Sequence, residues 1–332
     1  MNPLTFPNNR AFDVLALGRL AIDLNANETM RPMEETMTFT KYVGGSPANI
    51  AIGSARLGLE TGFIGRVSDD QMGRFIRQYL ENNHIDTSNI VKDDMGAVTG
   101  LAFTEIKSPQ DCSILMYRDN AVDLTLSPDD VSESYIKQAK SIVISGTALA
   151  SSPSREAVFV ALDFARKHNV VVLLDLDYRP YTWKSTQETA VYYNLAAEKA
   201  DVIIGTREEF DMMEGLLNEA GTSDQLTAEK WFSHHAEIVL IKHGGEGSYA
   251  FLKDGTVHRG GTFQTKVLKT FGAGDSYASA LLFALHQGAT IQEAMRYGAA
   301  SASIVISRHS CSDAMPTRDE LEEFMKTAVE NV

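Results

Sequence analysis

The sequence has only two cysteines, Cys112 and Cys311, too few for a disulfide framework and not at metal-ligand spacing. No apolar run approaches the roughly 20 residues that span a bilayer. The opening MNPLTFPNNR lacks the apolar core of a secretion signal. These absences lead us to expect a cytoplasmic protein with no membrane partner. Positive charge is scarce as well. Lys and Arg number 30 against 44 Asp and Glu, a net charge of −14 in 332 residues. No basic cluster offers a face to nucleic acid. An anionic small molecule would have to be met by a few placed arginines. Common phosphate-site signatures are missing too. There is no GxxxxGK[ST], and FGAGDSY lacks the third glycine of GxGxxG and lies near the C-terminus.

What is present is an α/β pattern. Hydrophobic residues make up 44% and charged residues 22%, as in a globular chain. Phe12–Leu17 and Phe63–Val67 are short apolar runs that read as buried strands. From residue 129 the alternation becomes regular. Strands at Ser141–Ser145, Val170–Leu176, Ala200–Ile204 and Ile238–Ile241 are separated by helices at Ser154–Lys167, Thr186–Lys199 and Glu208–Leu217. Strands of about five residues joined by helices predict βαβ units and a mostly parallel sheet flanked by helices on both faces. Helices at Ile291–Ile306 and Arg318–Val329 close the chain, which reads as a single domain over 1–332. Segments at about 28–42 and 97–118 alternate as exposed strands do and read as a small antiparallel β lid. Its open edges suggest pairing of two chains.

Polar residues gather where such a sheet binds ligands, at the carboxyl ends of its strands. Asp23 follows the first strand and could hold hydroxyl groups or cap a turn. Asp175, Asp177 and Arg179 follow a later strand, as do Thr206 and Glu209, and Lys242 and Gly244. In GGSPAN, Gly44 and Gly45 precede a helix started by Ser46 and Pro47, with Asn49 inside its first turn. In KTFGAGDSYA, Gly272, Ala273 and Gly274 sit where a loop becomes a helix, so their backbone N–H groups can converge on an anion. Asp275 beside them is either a helix cap or a base that takes a proton from an attacking hydroxyl. The helix terminus would favour its ionised form.

Taken in order, these motifs resemble the ribokinase-like (PfkB-type) carbohydrate kinase family across nearly the whole chain. GGSPAN is similar to the N-terminal signature and TFGAGDSYASA to the C-terminal one, more than two hundred residues apart. The resemblance implies an ATP-dependent kinase using Mg²⁺. Asp275 would be the catalytic base, and Gly272, Ala273 and Gly274 the anion hole for the γ-phosphate. Asp23, Gly44, Gly45 and Asn49 would hold sugar hydroxyls. Lys242, Gly244, Gly247 and Thr270 would border ATP, and Glu209 would help place Mg²⁺. DLDYRPYTW and MYRDNAVD are most similar to kinases of keto-deoxy sugar acids, as are GTREEF and KTFGAGD. Arg118 and Arg179 would then hold the substrate carboxylate, and phosphate would go to the terminal hydroxyl. A non-catalytic sensor on this scaffold would need neither Asp275 nor the complete GAG turn. One departure from the family pattern is Lys269, which replaces the aspartate that helps bind an activating monovalent cation in many members. Its ammonium could supply that charge permanently.

Overall fold

The computed structural model describes residues 2–216 and 223–331. The chain opens with β1 (Phe12–Leu17), β2 (Ala21–Ala26), β3 (Phe39–Gly44), α1 (Ser46–Arg56), β4 (Thr61–Val67), α2 (Gln71–Asn82) and β5 (Ile85–Lys92). The hairpin β6 (Gly100–Ile106) and β7 (Cys112–Tyr117) follows, then the single turn α3 (Glu133–Ile136). Strand and helix then alternate through β8 (Ala139–Ser145), α4 (Ser154–Lys167), β9 (Val171–Asp175), α5 (Thr186–Ala197), β10 (Val202–Thr206), α6 (Arg207–Glu214), α7 (Asp224–Phe232) and β11 (Ile238–Lys242). The remainder is β12 (Ser248–Leu252), β13 (Val257–Gly260), β14 (Thr262–Phe263), α8 (Ala273–His286), α9 (Ile291–Ile306), α10 (Arg318–Thr327) and β15 (Glu330–Asn331).

The main sheet has nine strands in the order β13-β12-β11-β10-β9-β8-β1-β4-β5. All run parallel except β12, which pairs antiparallel with both β11 and β13. Central strands such as β9 (VVLLD) and β11 (IVLIK) are apolar almost throughout because helices cover both faces. One face buries Leu15, Leu174 and Ile203 against Leu162 and Tyr193, and the other packs Val14, Leu173 and Ile204 against Leu281 and Leu282 of α8. Capping boxes start α6 (Thr206 with Glu209) and α9 (Thr290 with Glu293), holding their entry angles. The predicted helix over Glu208–Leu217 stops at Glu214 as α6, and Leu217 lies outside the described residues.

A second sheet, β3-β2-β6-β7, forms the lid. It differs from the expected antiparallel flap in two ways. β2 and β6 pair in parallel, so the lid is mixed. Its second strand is β2, whereas 28–38 holds only a short helical turn, Met33–Glu35. Asp23 therefore lies inside a lid strand and not in a loop after β1. The period of two sorts the lid's side chains. Asp23, Ala102 and Met116 share one face by register, and Leu24, Phe103 and Leu115 share the other.

Candidate active site

Gly272 makes the turn before α8. It has φ of 83°, a left-handed conformation that suits glycine, and a Cβ there would meet Cys311 Sγ at 2.8 Å. No side chain caps α8, so its first N–H groups remain available at the positive end of the helix dipole. Asp275, in that first turn, accepts a hydrogen bond from Asn49 Nδ2 at 2.8 Å. Asn49 comes from the first turn of α1, so the two glycine-rich motifs meet across 226 residues of chain. Gly44 ends β3 beside Asp23, where a Cβ would lie 2.0 Å from Asp23 Oδ1. Only glycine leaves that carboxylate in place.

Carboxylates crowd this place. Burial, and then the charge of Asp177, push the Asp275 carboxyl above its usual range, against Asn49 and Arg179. The downward shift that the helix end alone would give is thus outweighed by desolvation and a like charge. Burial raises Asp23 to about 6, with Arg19 opposing and Asp275 adding to the rise. Burial also raises Asp175 to about 7, opposed by Lys242 and reinforced by Asp177 and Glu209. Ser46 Oγ donates to Asp175 Oδ2 at 2.8 Å. Glu209 is held on both oxygens, by Thr206 N–H at 2.8 Å and Tyr178 N–H at 3.0 Å.

Two cavities meet here. The first, about 440 Å³, lies under the lid and is lined by Cys112, Ile114, Asp177, Arg179, Glu209 and Asp275 among others. The second, about 830 Å³, has apolar walls from Phe263, Val267, Tyr277, Ala299 and Ile306, with Gly244 and Gly247 at its edge. They share Thr206, Lys242, Thr270 and Gly274. Lys242 Nζ lies 3.1 Å from where a Gly274 Cβ would be, so a cation faces the anion turn at the junction. Arg179 lines the first cavity and pairs with Asp177 at 2.6 Å. Arg118 lines neither cavity. Its side chain is largely covered and pairs with Asp123.

The sequence reading passed over Arg19. It is 7% exposed and sits beside Asp177, Asp123 and Arg179. A charged residue inside the apolar stretch after β1, LGRLAI, was the signal that could have found it.

Two cavities that share a helix N-terminus, with a carboxylate in the wall of one and a lid over it, are an arrangement suited to phosphoryl transfer. The chain belongs to the pfkB family of carbohydrate kinases, whose family model matches residues 11–318. It is 74% identical over all 332 residues to the 5-dehydro-2-deoxygluconokinase of Bacillus anthracis, covering 100% of both chains. A PfkB protein from Polaromonas sp. JS666 shares 28% identity and a TM-score of 0.81 over 94% of this chain and 99% of its own. A putative ribokinase II from E. coli, solved in complex with ATP and Mg²⁺, has a TM-score of 0.84 at 20% identity, over 95% of this chain and 99% of its own.

Proposed function

We propose that this protein phosphorylates 5-dehydro-2-deoxygluconate on its terminal (C6) hydroxyl, with ATP as donor, as a cytoplasmic step of inositol catabolism. Full-length identity of 74% to a kinase named for that acid carries the reading. The cavities give it a geometry. The apolar 830 Å³ cavity suits adenine and ribose, with the triphosphate running past Gly244, Gly247 and Thr270 to Lys242 and the anion turn. The sugar acid occupies the cavity under the lid, whose wall carries Asp275; Asn49, bonded to Asp275, and Asp23 with Gly44 and Gly45 are the groups we assign to its hydroxyls. The terminal hydroxyl gives its proton to Asp275 as its oxygen bonds to the γ-phosphorus and the bond to the ADP oxygen breaks. The N–H groups of Gly272, Ala273 and Gly274 take up the charge on the moving phosphoryl group.

A divalent cation fits the donor set. Asp175 and Glu209 offer hard oxygen ligands, and the pile-up of carboxylates calls for positive charge. No group of three or more His, Cys, Asp or Glu is placed to hold a metal among the described residues. That suits Mg²⁺ carried mainly by phosphate and water, where it would offset phosphate charge. Lys269 is a fixed cation behind the anion turn.

A screen of ATP-dependent ADP release over sugar acids and neutral sugars tests the function. The keto-deoxy acid is expected to give the highest kcat/KM. A preference for neutral sugars, or for 2-keto-3-deoxygluconate, would overturn the assignment.

The lid's outer face carries Leu115 and Tyr117, 49% and 59% exposed, beside Phe103. We read it as the contact between two copies of the chain, which would also cover the open edge of β7. Tyr117→Asp is expected to convert dimer to monomer in sedimentation velocity. An unmodified protein that sediments as a monomer would contradict this.

A further inference from the structure

The segment that leaves α9, residues 306–311, touches both the anion turn and the lid. The Ile306 carbonyl accepts from the backbone N–H groups of Leu268 at 2.8 Å and Lys269 at 3.2 Å, just before the glycine turn. Cys311 packs behind Gly272, its Sγ 2.8 Å from where a Cβ would be. The segment thus backs the anion turn at two points.

Between those points stands His309, which faces the lid. Its Nε2 donates to the Ala26 carbonyl at 2.7 Å, and its Nδ1 meets the Tyr42 hydroxyl at 3.2 Å. A carbonyl only accepts, so the Ala26 bond makes Nε2 the protonated nitrogen, and a neutral ring then accepts from Tyr42 at Nδ1. The backbone carbonyl of His309 accepts from Asn25 Nδ2 at 2.9 Å. Asn25 is 1% exposed and takes the Thr104 hydroxyl of β6 at 2.9 Å. Strands β2, β3 and β6 are therefore all fastened to one residue.

Asp23 lies among the fastened positions. Asn25 is two places along on the same lid face, and Tyr42 is the partner of Asp23 across the β2–β3 ladder. The chain itself holds the near ends of these strands, where Ala21 pairs with Gly44 at the start of α1. His309 holds the other end, at Asn25 and Ala26.

We propose that His309 is a positioning residue for phosphoryl transfer, setting the lid strand that carries Asp23 against the turn that carries Asp275. This rests on the kinase reading above and adds the part that aligns acceptor with donor. In-line transfer tolerates little misplacement, and a shift of about 1 Å costs on the order of a hundredfold in rate.

The test measures kcat, both KM values and sugar phosphate formed per ADP, in the unmodified enzyme, His309→Ala, His309→Gln and Tyr42→Phe. His309→Ala frees the far end of β2. Its kcat at saturating sugar acid is expected to fall about tenfold to a hundredfold. KM for ATP should stay within about twofold, because no lid residue lines the larger cavity. Water then competes for the γ-phosphate. Its oxygen bonds to phosphorus, the bond to the ADP oxygen breaks, a proton passes to Asp275 and inorganic phosphate leaves. Sugar phosphate per ADP should therefore fall below one. The Gln amide can still donate to Ala26 and is expected to restore most of kcat and the one-to-one yield. Tyr42→Phe removes a single bond with the ring left in place, and is expected to lower kcat about fivefold whether or not His309→Ala folds. A residue needed for stability alone would lower the melting temperature and leave the saturated kcat and the yield unchanged. Full kcat with one sugar phosphate per ADP in His309→Ala and Tyr42→Phe would contradict the proposal, as would a Gln variant no better than Ala. If the unmodified enzyme forms no ester from the sugar acid, the function reading itself fails, before any variant is made.

Discussion

Asp275→Asn is expected to lose most turnover, by about 10²–10⁴ in kcat, with ATP affinity and melting temperature little changed. The substitution keeps the shape of the first turn of α8 and can still meet Asn49, so the fold has no reason to respond. Only the proton acceptor is removed. The elevated pKa of Asp275 adds a second signature. The base works in its deprotonated form, which is populated above its pKa. Activity should therefore fall as pH is lowered, and the fall should begin above the range of about 4 typical of an exposed carboxylate. A higher pKa also makes a stronger base, nearer to what proton removal at neutral pH requires. In the Asn variant this acidic limb should be lost from the residual rate. Near-wild-type turnover of Asp275→Asn would remove Asp275 from the reaction.

Lys269→Ala is expected to lower turnover about tenfold to a hundredfold, less than deletion of a direct oxyanion donor at about 10²–10³. Lys269 is 0% exposed, unusual for a lysine, and its ammonium donates to the Phe271 carbonyl at 2.7 Å, next to Gly272. Cys311, which packs on Gly272, is pushed up to about 12 by burial, with Lys269 opposing, so it stays a neutral thiol. The ammonium is then the charge directly behind the anion turn. Removing it leaves the Phe271 carbonyl unpaired and the turn's shape unsupported. The Ala variant also opens a void beside that carbonyl, and potassium is expected to restore part of its turnover. Lys269→Met fills the space without charge and should show the same loss with no restoration. A nearly silent Lys269→Ala, or strong potassium activation of the unmodified enzyme, would contradict this role.

The elements that were legible in sequence are those whose signals are local. α4 (Ser154–Lys167) and α9 (Ile291–Ile306) stand at the limits their apolar spacing and end residues suggest. β1 is bounded by its own apolar run. β5 was not seen, because IDTSNIVK is half polar and becomes a strand through parallel pairing with β4. The same holds for β2, whose place in the lid depends on β6, some eighty residues away in the chain. At the site, the glycine turns and Asp275 carried their own pattern. Arg19 left only a weaker mark, a charge inside the apolar LGRLAI, because its unpaired burial exists only in three dimensions. The upward shift of Asp275 has a related cause. The helix end is visible in sequence, but the convergence of Asp23, Asp175, Asp177 and Asp275 from separate elements is not.

The most direct test of the account is the position of the new phosphate. The protein is incubated with ATP, magnesium and 5-dehydro-2-deoxygluconate, and the product is read by phosphorus–carbon coupling in NMR. The account predicts one equivalent of ADP and a single phosphate ester on the terminal carbon, C6. A phosphate on any other carbon, or ATP consumed with no sugar phosphate formed, would contradict it.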